Sequence, residues 1–511
     1  MIQNYIEKIL RAKVYDVAQE TPLDFARTLS EKLNNHVYLK REDLQPVFSF
    51  KLRGAYNKMS GLTPEQMAKG VIAASAGNHA QGVALAAKKM GIKALIVMPK
   101  TTPDIKIKAV RAYGAKIVLH GDSYDDAYVH AMEIAVEKAM TFIHPYDDPD
   151  VIAGQGTVGM EILRQHNAAI HAIFVPVGGG GLLAGIAAYV KFVRPDIKII
   201  AVEPDDADCL NQAMLAGQRV TLAQVGLFAD GVAVKQIGEE TFRLARLYVD
   251  QVITVSTDEI CAAIKDIFDD TRSVAEPAGA LAVAGLKKYV EQQDLSHATL
   301  VAIDSGANMN FDRLRYVAER TLVGEHREIL LAVTIPEMPG SFLRFCKMLG
   351  KRSITEFNYR YFDSHEAQVF VGITSSGVET DRQQLIDQLS ADGFAVTDMT
   401  CSELAKDHIR YMVGGHAPFE LHERVYSLQF PERPGALLKF LMSLGSQWNI
   451  SLFHYRNHGA AFGKVLIGIQ LADKDCKAFV HCLDVLGLSY REETANPAYR
   501  MFAGGVSKAV P

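Results

Sequence analysis

Lys51 lies in the stretch Val47-Phe48-Ser49-Phe50-Lys51-Leu52-Arg53-Gly54, just after Pro46. Proline fixes its own backbone dihedral, and Ser49 has the character of a helix N-cap. Together they place Lys51 in the first turn of a helix. That is a poor position for a cation, because a helix N-terminus already carries partial positive charge. A lysine held there between Phe50 and Leu52 should give up its proton more readily than a surface lysine. The neutral amine it would leave is what a Schiff base requires. Taken alone, the same residues also describe a surface lysine with apolar neighbours.

Three further stretches carry groups that could act with such an amine, and two more read as helix starts. Gly178-Gly179-Gly180-Gly181-Leu182 follows an apolar run and opens a helical pattern. Successive glycines let backbone N–H groups converge on an anion, and the helix N-terminus adds its field, so this reads as a phosphate cradle. It is not a P-loop, since no Lys-Ser/Thr pair follows. Ser75-Ala76-Gly77-Asn78-His79 offers hydroxyl, amide and backbone donors at a helix start, which suits a carboxylate or an ordinary N-cap. Ser305-Gly306-Ala307-Asn308 ends a strand and is equally a plain turn. Glu276-Pro277-Ala278-Gly279-Ala280 reads as a helix start. Gly154-Gln155-Gly156-Thr157-Val158-Gly159 has the form GxGxxG, but it follows a Pro/Asp-rich loop and no acidic residue stands about 20 positions on, so it is expected to line the cleft as a helix N-terminus rather than bind a dinucleotide. The histidines show no metal-ligand spacing and no Gly-x-Ser-x-Gly elbow is present.

These stretches need a scaffold. The 511 residues exceed one core and imply two to four domains. Hydrophobic content of 49% and a net charge of −5 suit a globular protein and give no reason to expect nucleic acid or an anionic membrane as partner. Six scattered cysteines point to a reduced cytoplasmic setting. No signal peptide is expected at the N-terminus. Residues 1–325 alternate β-rich runs with helical patterns, the mark of an α/β domain with a largely parallel sheet, and the informative loops all follow the carboxyl ends of strands. Thr321 to Arg327 reads as a polar linker. Beyond it the chain repeats: Ile335-Pro336-Glu337-Met338-Pro339-Gly340 matches Phe430-Pro431-Glu432-Arg433-Pro434-Gly435, and Phe357-Asn358-Tyr359-Arg360 matches Phe453-His454-Tyr455-Arg456. Two β-α-β-β-α-β units of the ferredoxin-like kind fit, over 326–411 and 421–511. The last strand-helix-strand half of the second copy is the least distinct.

Taken in order, Ser49 to Gly54, Ser75 to His79, Gly178 to Leu182 and Ser305 to Asn308 resemble the motifs of the fold-type II pyridoxal-phosphate enzymes, the tryptophan synthase β-like class. With the doubled ACT-like tail, the whole length is similar to the long-form threonine dehydratases. The resemblance implies pyridoxal 5'-phosphate bound covalently to Lys51 with Phe50 against its ring. Asn78 would contact the ring's 3-hydroxyl and Ser305 its nitrogen. Gly178, Gly179, Gly180, Gly181 and Leu182 would supply amides to the phosphate. Ser75, Gly77 and His79, with Gln155, would bind the substrate carboxylate.

The reaction implied is conversion of threonine to 2-oxobutanoate and ammonia, or of serine to pyruvate. Lys51 would remove the α-proton. Related serine racemases carry serine at the place of Ala76, so little racemisation is expected here. Cys209 stands where racemase-like relatives place an acidic cation ligand, so no metal site is expected. The tail implies isoleucine inhibition opposed by valine, with an effector site near Phe357, Tyr359, Arg360, Phe453, Tyr455 and Arg456, and a homotetramer.

Overall fold

The structure is a computed structural model that describes residues 2–336, 341–349, 352, 354–359, 366–377, 379–411, 422–431, 440, 443–444, 448–456 and 462–502. The chain divides into two compact units, Met1–Val317 and Ala318–Pro511.

The first unit holds two sheets rather than one. A six-stranded sheet runs in the order Leu23–Phe25, His36–Arg41, Thr299–Asp304, Ala172–Pro176, Lys198–Pro204, Gln251–Val255. All neighbours pair in parallel except the short edge strand Leu23–Phe25. A smaller parallel sheet runs Lys116–Leu119, Ala94–Met98, Val71–Ala74, Thr141–Phe142. The central strands are continuous apolar runs, as burial on both faces demands. The edge strands Leu23–Phe25 and Thr141–Phe142 are two or three residues long and lack a distinct pattern.

The helix that carries Lys51 spans Lys51–Ser60, and Lys51 is its first residue. Ser49 is not its cap. Phe50 holds that place in a helical conformation with no side-chain cap bond, and the Ser49 hydroxyl is buried without a partner in the protein. Ser49 instead pairs through its backbone with Gly306, which ties the Lys51 helix to the end of strand Thr299–Asp304.

Glycines bring this helix close to its neighbours. A Cβ at Gly154 would stand 2.7 Å from the Arg53 carbonyl oxygen and from the Gly54 Cα, so the Lys51 helix and helix Pro149–Gln165 meet backbone to backbone. A Cβ at Gly185 would lie 2.6 Å from the Gly156 nitrogen. The GxGxxG stretch therefore sits in the body of helix Pro149–Gln165, packed on helix Gly181–Val193, and not at the helix N-terminus expected from the Pro/Asp-rich loop before it.

Beneath the same helix lies a buried ion network. Arg53 is wholly buried and donates to Glu42 at 2.7 and 2.8 Å and to Glu161 at 2.5 and 3.0 Å. Lys40, also buried, lies 2.6 Å from Glu161. The guanidinium fork suits two flanking carboxylates.

In the second unit each copy of the repeat forms a four-stranded antiparallel sheet, in the orders Ile354–Tyr359, Glu366–Thr374, Glu328–Pro336, Ala395–Asp398 and Asn449–Arg456, Phe462–Gln470, Glu423–Pro431, Ser489–Glu492. This is the ferredoxin-like order in both. The second copy, indistinct in sequence, completes its last half with helix Cys476–Val485 and strand Ser489–Glu492. Each copy shifts register at the same place, between Ile354 and Glu356 and between Ile450 and Leu452. The expected linker is largely absent: helix Arg313–Gly324 runs through Thr321–Gly324 and strand Glu328–Pro336 begins four residues later.

Removal of Arg53 leaves buried Glu42 and Glu161 with Lys40 as the one remaining cation described between them. Arg53→Leu should lose about 3–5 kcal/mol of stability in the first unit. A urea midpoint within experimental error of the parent would contradict this role.

Candidate active site

The carboxyl ends of both sheets deliver the four motifs to one place, where open α/β sheets bind ligands. Strand Val71–Ala74 leads into Ser75, whose hydroxyl accepts from the Gly77 N–H at 3.2 Å and the Ala80 N–H at 3.3 Å. Helix Asn78–Met90 follows, and a Cβ at its Gly82 would lie 3.0 Å from the Lys51 carbonyl carbon. Strand Ala172–Pro176 leads into the four glycines and helix Gly181–Val193. Strand Thr299–Asp304 leads into Ser305, whose buried hydroxyl donates to the Ala278 carbonyl at 3.2 Å.

Lys51 keeps some accessible surface because it opens onto this cleft, but its ammonium is poorly solvated there. Its Nζ donates to the Pro145 carbonyl at 3.3 Å and lies 5.2 Å from the Phe50 ring centroid. Desolvation lowers its pKa from 10.5 to about 8, and the Glu276 carboxylate, acting the other way, does not cancel this. His79 is buried and its Nε2 bonds the Ile143 carbonyl at 2.8 Å. Desolvation first, then the nearby Lys51 charge, push its pKa down to about 3, so the ring is neutral. A carbonyl partner requires the proton on Nε2. Nδ1 is then an acceptor, and it is buried without a partner in the protein.

Asn78 is held from two sides. Its Nδ2 donates to Glu276 Oε1 at 2.5 Å and its Oδ1 accepts from Asn308 Nδ2 at 2.7 Å. The glycine loop admits no side chain. A Cβ at Gly178 would stand 2.9 Å from the Val232 Cα, one at Gly179 would enter the Tyr146 ring, and Gly180 has φ +89°. No acidic residue occupies the first turn of the following helix, whose positive end stays available for an anion. Leu182 lies in that turn and is buried. The loop His144–Asp148 links the two halves of the site: Pro145 meets Lys51, and Tyr146 packs on Gly179 and Gly181.

Gln155, expected near substrate, is buried with its Oε1 accepting the Gly54 N–H at 3.3 Å. Cys209 Sγ lies 3.7 Å from both the Gly178 carbonyl and Glu203 Oε1, while Glu203 accepts the Leu210 and Asn211 N–H groups at 2.9 and 2.8 Å. Of the expected effector residues, Phe357 and Tyr359 lie on edge strand Ile354–Tyr359, and Phe453, Tyr455 and Arg456 on edge strand Asn449–Arg456. Their backbones hold equivalent registers, Phe357 opposite Val371 and Phe453 opposite Ile467. Arg360 lies outside the described residues. Glu276 and Pro145 belong to the cleft but were not expected there: the Glu-Pro-Ala-Gly-Ala stretch signals only a helix start.

The family described as "Pyridoxal-phosphate dependent enzyme" matches residues 14–306, and "C-terminal regulatory domain of Threonine dehydratase" matches twice, at 319–409 and 414–503. The L-threonine dehydratase biosynthetic IlvA of Burkholderia multivorans is 59% identical over 98% of this chain and 99% of its own. The chain belongs to the threonine dehydratase family. The L-threonine dehydratase biosynthetic IlvA of Escherichia coli is 54% identical over 98% of this chain and 97% of its own. The solved processed form of threonine deaminase isoform 2 from Solanum lycopersicum superposes with TM-score 0.61 at 51% identity, covering 62% of this chain and 93% of that one.

A threonine dehydratase is a pyridoxal-phosphate enzyme, and the residues present fit that cofactor. A readily deprotonated lysine, an oriented amide, a hydroxyl and an anion-accepting helix end converge on one cleft. None of the residues 2–336 forms a helix long and apolar enough to cross a membrane, and the same holds for the other described residues.

With burial lowering the Lys51 pKa to about 8 and its neutral amine the expected point of attachment, capture of pyridoxal phosphate by the cofactor-free protein should speed up about tenfold per pH unit below 8 and level off above it. Stopped-flow absorbance between pH 6 and 10 measures this. A rate still climbing steeply past pH 9.5 would show an ordinary lysine.

Proposed function

We propose that this protein converts L-threonine to 2-oxobutanoate and ammonia, accepts L-serine to give pyruvate, and opens isoleucine biosynthesis in the cytoplasm under feedback inhibition by isoleucine opposed by valine. The observation that carries the reading is a desolvated lysine at a helix start, linked through Pro145 and Tyr146 to a glycine-lined helix start. The relatives' names supply the substrate.

Lys51 would hold pyridoxal phosphate covalently, with Phe50 against the ring. The amides of Gly178, Gly179, Gly180, Gly181 and Leu182 would hold its phosphate, Asn78 its ring oxygen and Ser305 its ring nitrogen. Bound there, the cofactor supplies an electrophilic carbonyl carbon and a ring that draws electron density from the substrate α-carbon. A serine hydroxyl at the ring nitrogen, unlike a carboxylate, leaves that pull moderate, which favours loss of a β-hydroxyl over transamination.

The Lys51 amine, neutral above about pH 8, takes the α-proton as general base. Ser75, Gly77 and His79 bind the substrate carboxylate. His79 does so through its backbone N–H, because its neutral ring commits Nε2–H to the Ile143 carbonyl and leaves Nδ1 only as an acceptor, which a carboxylate cannot use. Gln155 joins this group through Gly54, steadying the Lys51 helix from behind. Ala76 carries no proton donor, so the opposite face of the α-carbon stays unserved and dehydration proceeds with little racemisation.

In this reading residues 1–325 form the catalytic domain, and 326–411 and 421–511 two regulatory domains whose equivalent edge strands take the effector near Phe357, Tyr359, Arg360, Phe453, Tyr455 and Arg456. Isoleucine must favour one state of a homotetramer over another, with a coupling of about 1–3 kcal/mol.

Threonine turnover should yield 2-oxobutanoate without added thiol and fall as isoleucine is titrated in. Lys51→Ala should lose at least about a thousandfold in turnover while its regulatory unit still binds isoleucine. Substantial turnover by that variant would overturn the assignment of Lys51. An isoleucine titration that leaves turnover flat would remove the regulatory claim.

A further inference from the structure

Glu276 precedes helix Pro277–Gln293 as its N-cap residue, yet its side chain makes no cap bond. It turns into the cleft instead, buried, and accepts from Asn78. Two glycines make room for it: a Cβ at Gly306 would lie 2.7 Å from Oε1, and one at Gly231 would lie 3.5 Å from it. Its own N–H donates to the Gly306 carbonyl at 3.0 Å, next to Ser305.

The bond to Asn78 is one end of a directed chain. Asn308 donates one N–H to the Val47 carbonyl at 2.8 Å and the other to Asn78 Oδ1 at 2.7 Å, so both of its donors are committed. Asn78 Nδ2 then faces Glu276. Turning the Asn78 amide over would set its oxygen against the carboxylate and its nitrogen against the Asn308 nitrogen. Each arrangement is repulsive, so the amide has one orientation. One of its two N–H bonds goes to Glu276, and the second is left for another acceptor.

We propose that Glu276 is a positioning residue for the cofactor: by taking one N–H of Asn78 it fixes the amide so that the other N–H serves the ring oxygen of pyridoxal phosphate. This rests on the cofactor reading of Asn78 given above. The environment of Glu276 is set on every side by charge. Asp230 repels it, Lys106 and Arg313 attract it, Lys51 faces it across the cleft, and Asp304 lies beyond Gly306. Burial and then Asp230 raise its pKa to about 7. As a carboxylate or as an acid it keeps an oxygen that accepts from Asn78, so the tether persists across neutral pH.

The test measures the dissociation constant of pyridoxal phosphate on cofactor-free full-length protein, with the absorbance of the bound form and its Lys51 dependence recorded alongside. Glu276→Ala should weaken binding about tenfold and shift the bound absorbance maximum. Glu276→Gln keeps a carbonyl acceptor and should bind within about twofold of the parent. Asn78→Ala and the double variant Asn78→Ala/Glu276→Ala should bind equally, because Glu276 acts through Asn78. Additive losses in the double variant, or an Ala variant that binds and absorbs like the parent, would overturn the proposal while leaving the cofactor assignment intact. A parent protein with no Lys51-dependent absorbance would overturn both. Circular dichroism of each variant separates a local change from a folding failure.

Discussion

The structure turns on one constraint. A lysine amine must be kept poorly solvated at the positive end of a helix, beside a loop that leads to a glycine-lined helix start, without a carboxylate near enough to restore its proton. The first turn of helix Lys51–Ser60 provides the field and the apolar neighbours, and the Pro145 carbonyl provides a single weak acceptor. Glu276 is an opposing charge that acts on it, and its carboxylate is already engaged with Asn78. The balance leaves an amine that is ionised or neutral within the range where cells operate.

Such a site does not stabilise a protein, so the surroundings must hold it. Backbone-to-backbone crossings at Gly54, Gly154, Gly156 and Gly185 stack three helices too closely for any larger residue. The Arg53 pairs with Glu42 and Glu161 lock the same helix from below. These charges are buried together with their partners, which makes the arrangement specific rather than merely tight, because loss of either partner strands a charge away from water. Two small sheets, instead of one large one, let the motifs approach from opposite sides. Asn78 and His79 come from one sheet, and the glycine loop and Ser305 from the other.

Much of this was legible in the residues. Continuous apolar runs marked strands such as Val71–Ala74 and Ala172–Pro176, and the Ser75, glycine and Ser305 motifs each followed a strand of this kind. The 95-residue repeat implied two ferredoxin-like units, and both sheets have that order. What was not legible had local causes. Ser49 has the chemistry of an N-cap, but its backbone pairs with Gly306, a contact more than 250 positions away. The GxGxxG stretch reads as a helix N-terminus because glycine serves helix ends and close helix crossings alike. Thr321–Gly324 is polar, yet it continues a helix already begun. Short edge strands carry too few residues to show a period. Glu276 escaped notice because a helix-start glutamate is common, and only the folded chain shows it turned toward Asn78.

The most direct measurement is borohydride reduction of the purified protein reconstituted with pyridoxal phosphate, followed by proteolysis and mass spectrometry of the lysine-containing peptides. The account predicts a single phosphopyridoxyl adduct on Lys51, absent from the Lys51→Ala variant. An adduct on another lysine, or a reconstituted active protein with none, would contradict it.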